Sequence, residues 1–303
     1  MSKPERRTRV DELRELRQRF DSAPGADTPS IGLMRRALDE QIREALITEH
    51  GMLDVVLEGL PVTDNSIDVQ FLASFLGALQ YAVTSVGQAV AGEPTRRGMI
   101  PGDIRRATAL SLAATFTGSF GLHVIAAAPE QQTETFDEPT VLERSMSSMV
   151  EVLSVAGGGD AEGVHRLAAA LGPRAFSGLQ SFVQLLANGE VTASLEWRSP
   201  SYRLSTSLTP NELSRARDSM ATTDVTTTET IVIGRLVGAS LVRGRFELET
   251  TGGVVFAGAV DPGVLDRIQP FFGEECQATL RVTTVRSLAE GSVSENYVLV
   301  GIA

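Results

Sequence analysis

The sequence predicts an α+β protein: an antiparallel sheet with one long core helix packed on a face, followed by a small C-terminal β-barrel of OB-like or SH3-like type. Three observations carry that expectation. Residues 69–92 hold no charged residue, and Leu72, Phe75, Leu76, Leu79, Val83, Val86 and Val90 recur at helical spacing. Two stretches, 110–124 and 191–208, alternate apolar and polar residues with period two about a central turn. Beyond residue 229 the period stays at two through several short runs separated by Gly, Pro and Asp.

Taken in order, residues 1–51 read as an N-terminal helical arm, 52–220 as the α+β domain and 221–303 as the barrel. In the arm, Val10, Leu13, Leu16 and Phe20 form a narrow helical stripe, interrupted by a linker with Pro24, Gly25 and Pro29. Thr28 and Pro29 suit the N-cap and first turn of a second helix, with Met34, Leu38, Ile42 and Leu46 on its apolar side and Gly51 at its end. The seam of Leu13, Leu16 and Phe20 is either an interaction surface or the packing of the arm on its own domain.

Residues 53–57 form a short strand, and Ser66 or Asp68 can cap the long helix. The other side of that helix carries Gln70, Ser74, Gln80, Thr84 and Gln88, polar but not ionic. A side so poor in charge is expected to be covered, by a second copy or by the arm. Although the run approaches the length of a bilayer span, flanking strands give its stripe a sheet to cover, so no membrane contact is expected.

The first hairpin places Leu110, Leu112, Ala114 and Phe116 on one face, turns at Thr117, Gly118 and Ser119, and returns through Phe120, Leu122 and Val124. Helices over 138–156 and 163–187 follow. The second hairpin alternates Val191, Ala193, Leu195 and Trp197 inward and continues through Tyr202, Leu204, Thr206 and Leu208, before a short helix at 211–220. The threonine-rich run 221–230 reads as a polar boundary. Strands over 231–236, 245–249, 254–259, 278–285 and 297–302, with a helical turn at 264–268, complete the barrel.

Composition excludes several chemistries. Lys3 is the only lysine, which removes lysine Schiff bases and phosphate-loop lysines. Cys276 is the only cysteine, so neither an intrachain disulfide nor a cysteine-rich zinc site can form, and a reducing, cytoplasmic setting suits it. His50, His123 and His165 have no metal-binding spacing. Ser119 lies at a strand-to-strand turn, which is hairpin geometry and not a nucleophile elbow. Glu247 and Glu249 alternate on one strand as a solvated pair.

The expectation is therefore a bacterial, cytoplasmic, non-catalytic binding and assembly protein that acts through protein–protein contacts or self-association. Its interaction surfaces would be Leu13, Leu16 and Phe20 on the arm and Gln70, Ser74, Thr84 and Gln88 on the long helix. No catalytic residue, cofactor or metal is expected. An alternative is a single-stranded nucleic-acid regulator using Arg235, Arg243, Arg245 and Arg281 as a basic stripe on the barrel. A net charge of −11 opposes it. A second alternative is a metal-dependent hydrolase of dispersed carboxylates. An enclosed polar pocket in which His123 meets a carboxylate within hydrogen-bonding distance would argue strongly against the non-catalytic reading.

Overall fold

The computed structural model describes residues 8–22, 28–63, 66–92, 98–116, 119–127, 139–200, 203–288 and 291–303. Pro24, Gly25, Thr117, Gly118 and Tyr202, and the start of the helix expected at 138, lie outside the described residues. The chain is a mixed α+β protein.

Two helices open it, α1 (Arg9–Asp21) and α2 (Pro29–His50). Thr8 and Asp11 form a reciprocal capping box that starts α1. The expected Thr28 and Pro29 start α2, and Gly51, at φ 67°, stops it. The helices lie together as a hairpin, tied by Arg17 to Asp39 at 2.8 Å and Arg35 to Asp21 at 3.1 Å.

Strand β1 (Met52–Gly59) follows, then the short pair β2 (Val62–Thr63) and β3 (Ser66–Ile67), and helix α3 (Val69–Val90). Asp68 is the cap: its carboxylate accepts the Phe71 amide at 2.7 Å. Next come α4 (Gly102–Ala107), β4 (Leu110–Phe116), β5 (Phe120–Ala126), α5 (Val141–Gly158), α6 (Ala161–Asn188), β6 (Val191–Arg198), β7 (Arg203–Leu208) and α7 (Pro210–Ala221). Five of these strands form one antiparallel sheet in the order β4-β5-β1-β6-β7, with β2 and β3 paired apart from it.

One face of that sheet makes the main core. Leu53, Val55 and Leu57 of β1, Leu122 and Val124 of β5, and Val191, Ala193, Leu195 and Trp197 of β6 are buried beneath α3, α5, α6 and α7. Phe75 of α3 meets Phe182 of α6 with ring centroids 5.6 Å apart. Each such fully buried large side chain contributes about 1.5–3 kcal/mol. The expected alternation of β4 does not hold through the strand. A bulge between Leu112 and Ala114 turns Ala114 and Phe116 to the other face, where Ala114 lies opposite His123.

The C-terminal part is a closed ring of five strands: β8 (Thr223–Ser240), β9 (Arg245–Thr250), β10 (Val255–Val260), β11 (Glu275–Ser287) and β12 (Val293–Ile302), with the turn of helix α8 (Pro262–Leu265) between β10 and β11. Leu236, Phe246, Leu248, Ala278, Leu280 and Leu299 fill its interior. Here the structure corrects the sequence reading of 221–230. Ala221 ends α7, and from Thr223 the run is strand, the first half of β8, paired residue for residue with β11 from Thr223 opposite Ser287 to Thr230 opposite Leu280. Threonine is β-branched and favours a pleated strand, whatever its polarity. Val225 and Val285, at that end of the ribbon, belong to the main core.

Candidate functional site

The face of the sheet away from the main core gathers ionisable groups. Cross-strand register places Ala114, His123, Asp54, Glu196 and Ser205 in one row from β4 to β7. His123 Nδ1 lies 2.5 Å from Asp54 Oδ1, while Arg43 of α2 reaches Asp54 Oδ2 at 3.4 Å and Arg198 of β6 pairs with the same oxygen. Glu196 pairs with Arg203 and lies 3.5 Å from Arg198. Phe116 stacks on the imidazole, with centroids 4.5 Å apart. Gly121 makes that possible, because a Cβ there would sit 2.3 Å from the Phe116 ring. Burial pushes the His123 pKa below its ordinary value, and the charge of Arg43 acts in the same direction. A neutral His123 must then carry its proton on Nδ1 to donate to Asp54.

This is the contact that would argue for catalysis, and its surroundings decide what it can do. Asp54 is already matched by two guanidinium groups. The adjoining cavity, of about 290 Å³, is lined by Asp54, Val56, Ser194, Leu195, Glu196, Ser205, Thr206 and Ser207, not by His123. Ser194 and Ser207 hydrogen-bond each other at 2.8 Å. What the cluster does hold is the arm: Arg43 on α2 is tied to Asp54 on β1, and His50 Nδ1 lies 3.1 Å from the Ala126 carbonyl oxygen. Among the described residues no three His, Cys, Asp or Glu side chains converge as metal ligands.

The seam expected on the arm divides. Leu13 is buried and Phe20 half-buried in a cluster with Val10, Leu38, Ala45, Leu46 and Met52, so they pack the arm on itself and on the sheet. Leu16 is exposed. The uncharged side of α3 also divides. Gln70 and Ser74 are exposed on the single chain, with no cover from the arm. Thr84 and Gln88 are buried, covered neither by the arm nor by a second copy. Thr108 beyond α4 donates to the Thr84 hydroxyl at 3.1 Å, and Arg174 of α6 donates to Gln88 Oε1 at 2.9 Å and to the Gly98 carbonyl at 2.7 Å. By length and hydropathy α3 could cross a membrane; here its second half, Ala82 to Gln88, is wholly inside the fold.

The four ring arginines do not share a stripe. Arg235 lies between Glu249 and Glu275 in register and donates through Nε to the Gly273 carbonyl at 2.6 Å. Arg243 and Arg245 are at the other end, in and after the β8–β9 turn, and Arg281 is half-buried between Glu229 and Asp261, 3.8 Å from each. Glu247 and Glu249 are exposed on β9. Cys276 is buried, and burial, rather than the neighbouring glutamates, raises its pKa.

The feature that sequence reasoning missed lies on the outside of the ring. Up to the bulge that follows Leu236, the outward residues of β8 are those with odd numbers. At the start of the strand, where α6 and α7 pack on β8, Thr223 and Val225 are buried; further along, Ile231 and Ile233 are 62% and 59% exposed. Val237 and Phe272 are exposed as well, and Phe272 is bridged to Leu236. The signal was present in the sequence, because Ile231, Val232 and Ile233 are apolar on both parities, the pattern of a strand covered on both faces. Comparison with known proteins gives no match to any family model, curated protein or solved structure.

Proposed function

We propose that this chain is a non-catalytic binding and assembly protein that acts through protein–protein contacts, with the C-terminal ring as its interaction module. The observation that carries this reading is the pair Ile231 and Ile233, exposed side by side on a strand that is apolar on its inner side as well. Isolated surface apolar residues need no explanation, but two large aliphatic side chains exposed next to each other on one strand face are what a partner would cover. The α+β body serves the ring as a rigid support, since α6 packs across the start of β8 and the end of β11.

We read the ring as an OB-type barrel. Support comes from the strand order: numbered from β8, the first strand pairs with the second and the fourth, and the third pairs with the fifth in parallel. The helical turn α8 between the third and fourth strands adds to it. An SH3-like meander of sequential antiparallel strands has no place for that parallel pair. The setting we propose is the cytoplasm, where a lone thiol such as Cys276 stays reduced.

The test is a double variant, Ile231→Asp with Ile233→Asp, which alters only the outer side of β8. Whatever complex the native chain forms, with itself or with another protein, should be lost in the variant, while its circular dichroism and melting temperature stay unchanged. A variant that keeps every native complex would sink the reading.

A further inference from the structure

We infer that the partner covering β8 is a second copy of this chain, related to the first by a two-fold axis beside Val232; this rests on the binding role proposed for the ring. The outward residues at 229, 231, 233 and 235 are Glu, Ile, Ile and Arg. Read in the opposite direction they are Arg, Ile, Ile and Glu. When two such strands stack face to face and antiparallel, Glu229 of each copy meets Arg235 of the other and the isoleucines meet at the centre. A two-fold interface requires this kind of self-complementarity, in which residue i contacts j and j contacts i.

Both charged residues are placed for the contact. Glu229 is exposed, and the cation beside it, Arg281, is 3.8 Å away, beyond hydrogen-bonding distance. Arg235 is exposed, and its Nε bond to the Gly273 carbonyl fixes the direction of the guanidinium. The surroundings favour a copy of limited footprint. Cover by the body reaches Val225, so the open part of the strand begins beyond it, and the bulge between Leu236 and Gly238 turns the strand at its other end. On β11, Gln277 and Thr279 lie opposite Ile233 and Ile231 and border the strip with uncharged side chains. Two chains of net charge −11 repel one another, and the isoleucines with their uncharged β11 neighbours form the neutral centre of the contact; at its ends Glu249 and Glu275 flank Arg235 in register and Arg281 lies beside Glu229.

The experiment is native mass by light scattering over about 1–100 µM protein, a range that brackets a micromolar dissociation constant. The wild type should be a dimer. Glu229→Arg alone and Arg235→Glu alone each set like charges against each other twice, and each should weaken the dimer by about tenfold or more. An equimolar mixture of the two variants should regain wild-type affinity as a heterodimer, because the two arginines that one variant carries at these positions then face the two glutamates of the other. Because the partners compared are the same two proteins alone and mixed, misfolding of either variant would appear as failure to recover, which counts against the inference. A monomeric wild type, or a mixture no tighter than its components, overturns the two-fold dimer. If the wild type is monomeric but a complex with another protein is lost on Ile231→Asp with Ile233→Asp, the binding role stands and only the second copy falls.

Discussion

At Asp54 a single carboxylate meets one imidazole and two guanidinium groups, and the imidazole, His123, is the group there that titrates near neutral pH. Its folded pKa lies below the unfolded value, through burial first and Arg43 second. The unfolded chain therefore binds the proton more readily, and stability rises with pH across the interval between the two values. The contribution is complete above the unfolded value of about 6.5 and is lost as pH falls through the lowered folded value. Urea midpoints at pH 7.5 and pH 5.5 should differ in the wild type, and by less in His123→Gln, whose amide can still donate to Asp54. An equal drop in both would remove His123 as the cause. His123 could be singled out in the sequence as a histidine on a half-covered strand. Its partner could not, because Asp54 is 69 positions away and nothing local marks a residue that register will set beside it. Gln88 illustrates the converse. Its lack of charge correctly implied cover, but the cover is Arg174, 86 positions on, and not an assembly partner.

Among the elements, α6 carries a break that its amphipathic pattern conceals. The apolar spacing runs from Val164 to Leu186 as though through one helix, but Gly172 adopts φ 76° and ψ 174°, and Pro173 begins the second segment. That backbone region is open almost only to glycine, so Gly172→Ala should cost about 1–3 kcal/mol by chemical denaturation. Pro173→Ala should cost less, since the kink lies in the glycine and proline merely suits the first turn that follows. Equal losses from the two would place the origin of the kink in the proline. Strand β8 failed to read for a different reason. Its first half, TDVTTTET, offers Val225 as its only apolar residue, so hydrophobic period had almost nothing to register. The period-two hairpin 191–208, in which alternate residues of β6 are buried, was legible because one face meets the core and the other does not. In β4 the bulge changes the face within the strand, which alternation alone cannot reveal.

At the scale of the molecule, two of the five strands that form the ring, β8 and β11, also enter the body. Val225 of β8 and Val285 of β11 are buried with the body's helices, whereas Leu236 and Leu280, farther along the same strands, are buried inside the ring. Neither core can come apart without disturbing strands that the other shares. The chain supplies one probe for each. Trp197, its only tryptophan, is fully buried in the body, and Cys276, its only cysteine, is buried in the ring. Unfolding in urea followed by tryptophan fluorescence and by pulsed labelling of the thiol should give one midpoint, at a fixed protein concentration so that any dimer weighs equally on both. Val285→Ala, which removes about 2 kcal/mol of burial from the body side, should shift the two curves together. Separate midpoints, with the thiol reacting while the tryptophan remains native, would mean that the ring is an independent domain merely leaning on α6, and the support that the body gives to Ile231 and Ile233 would be lost with it.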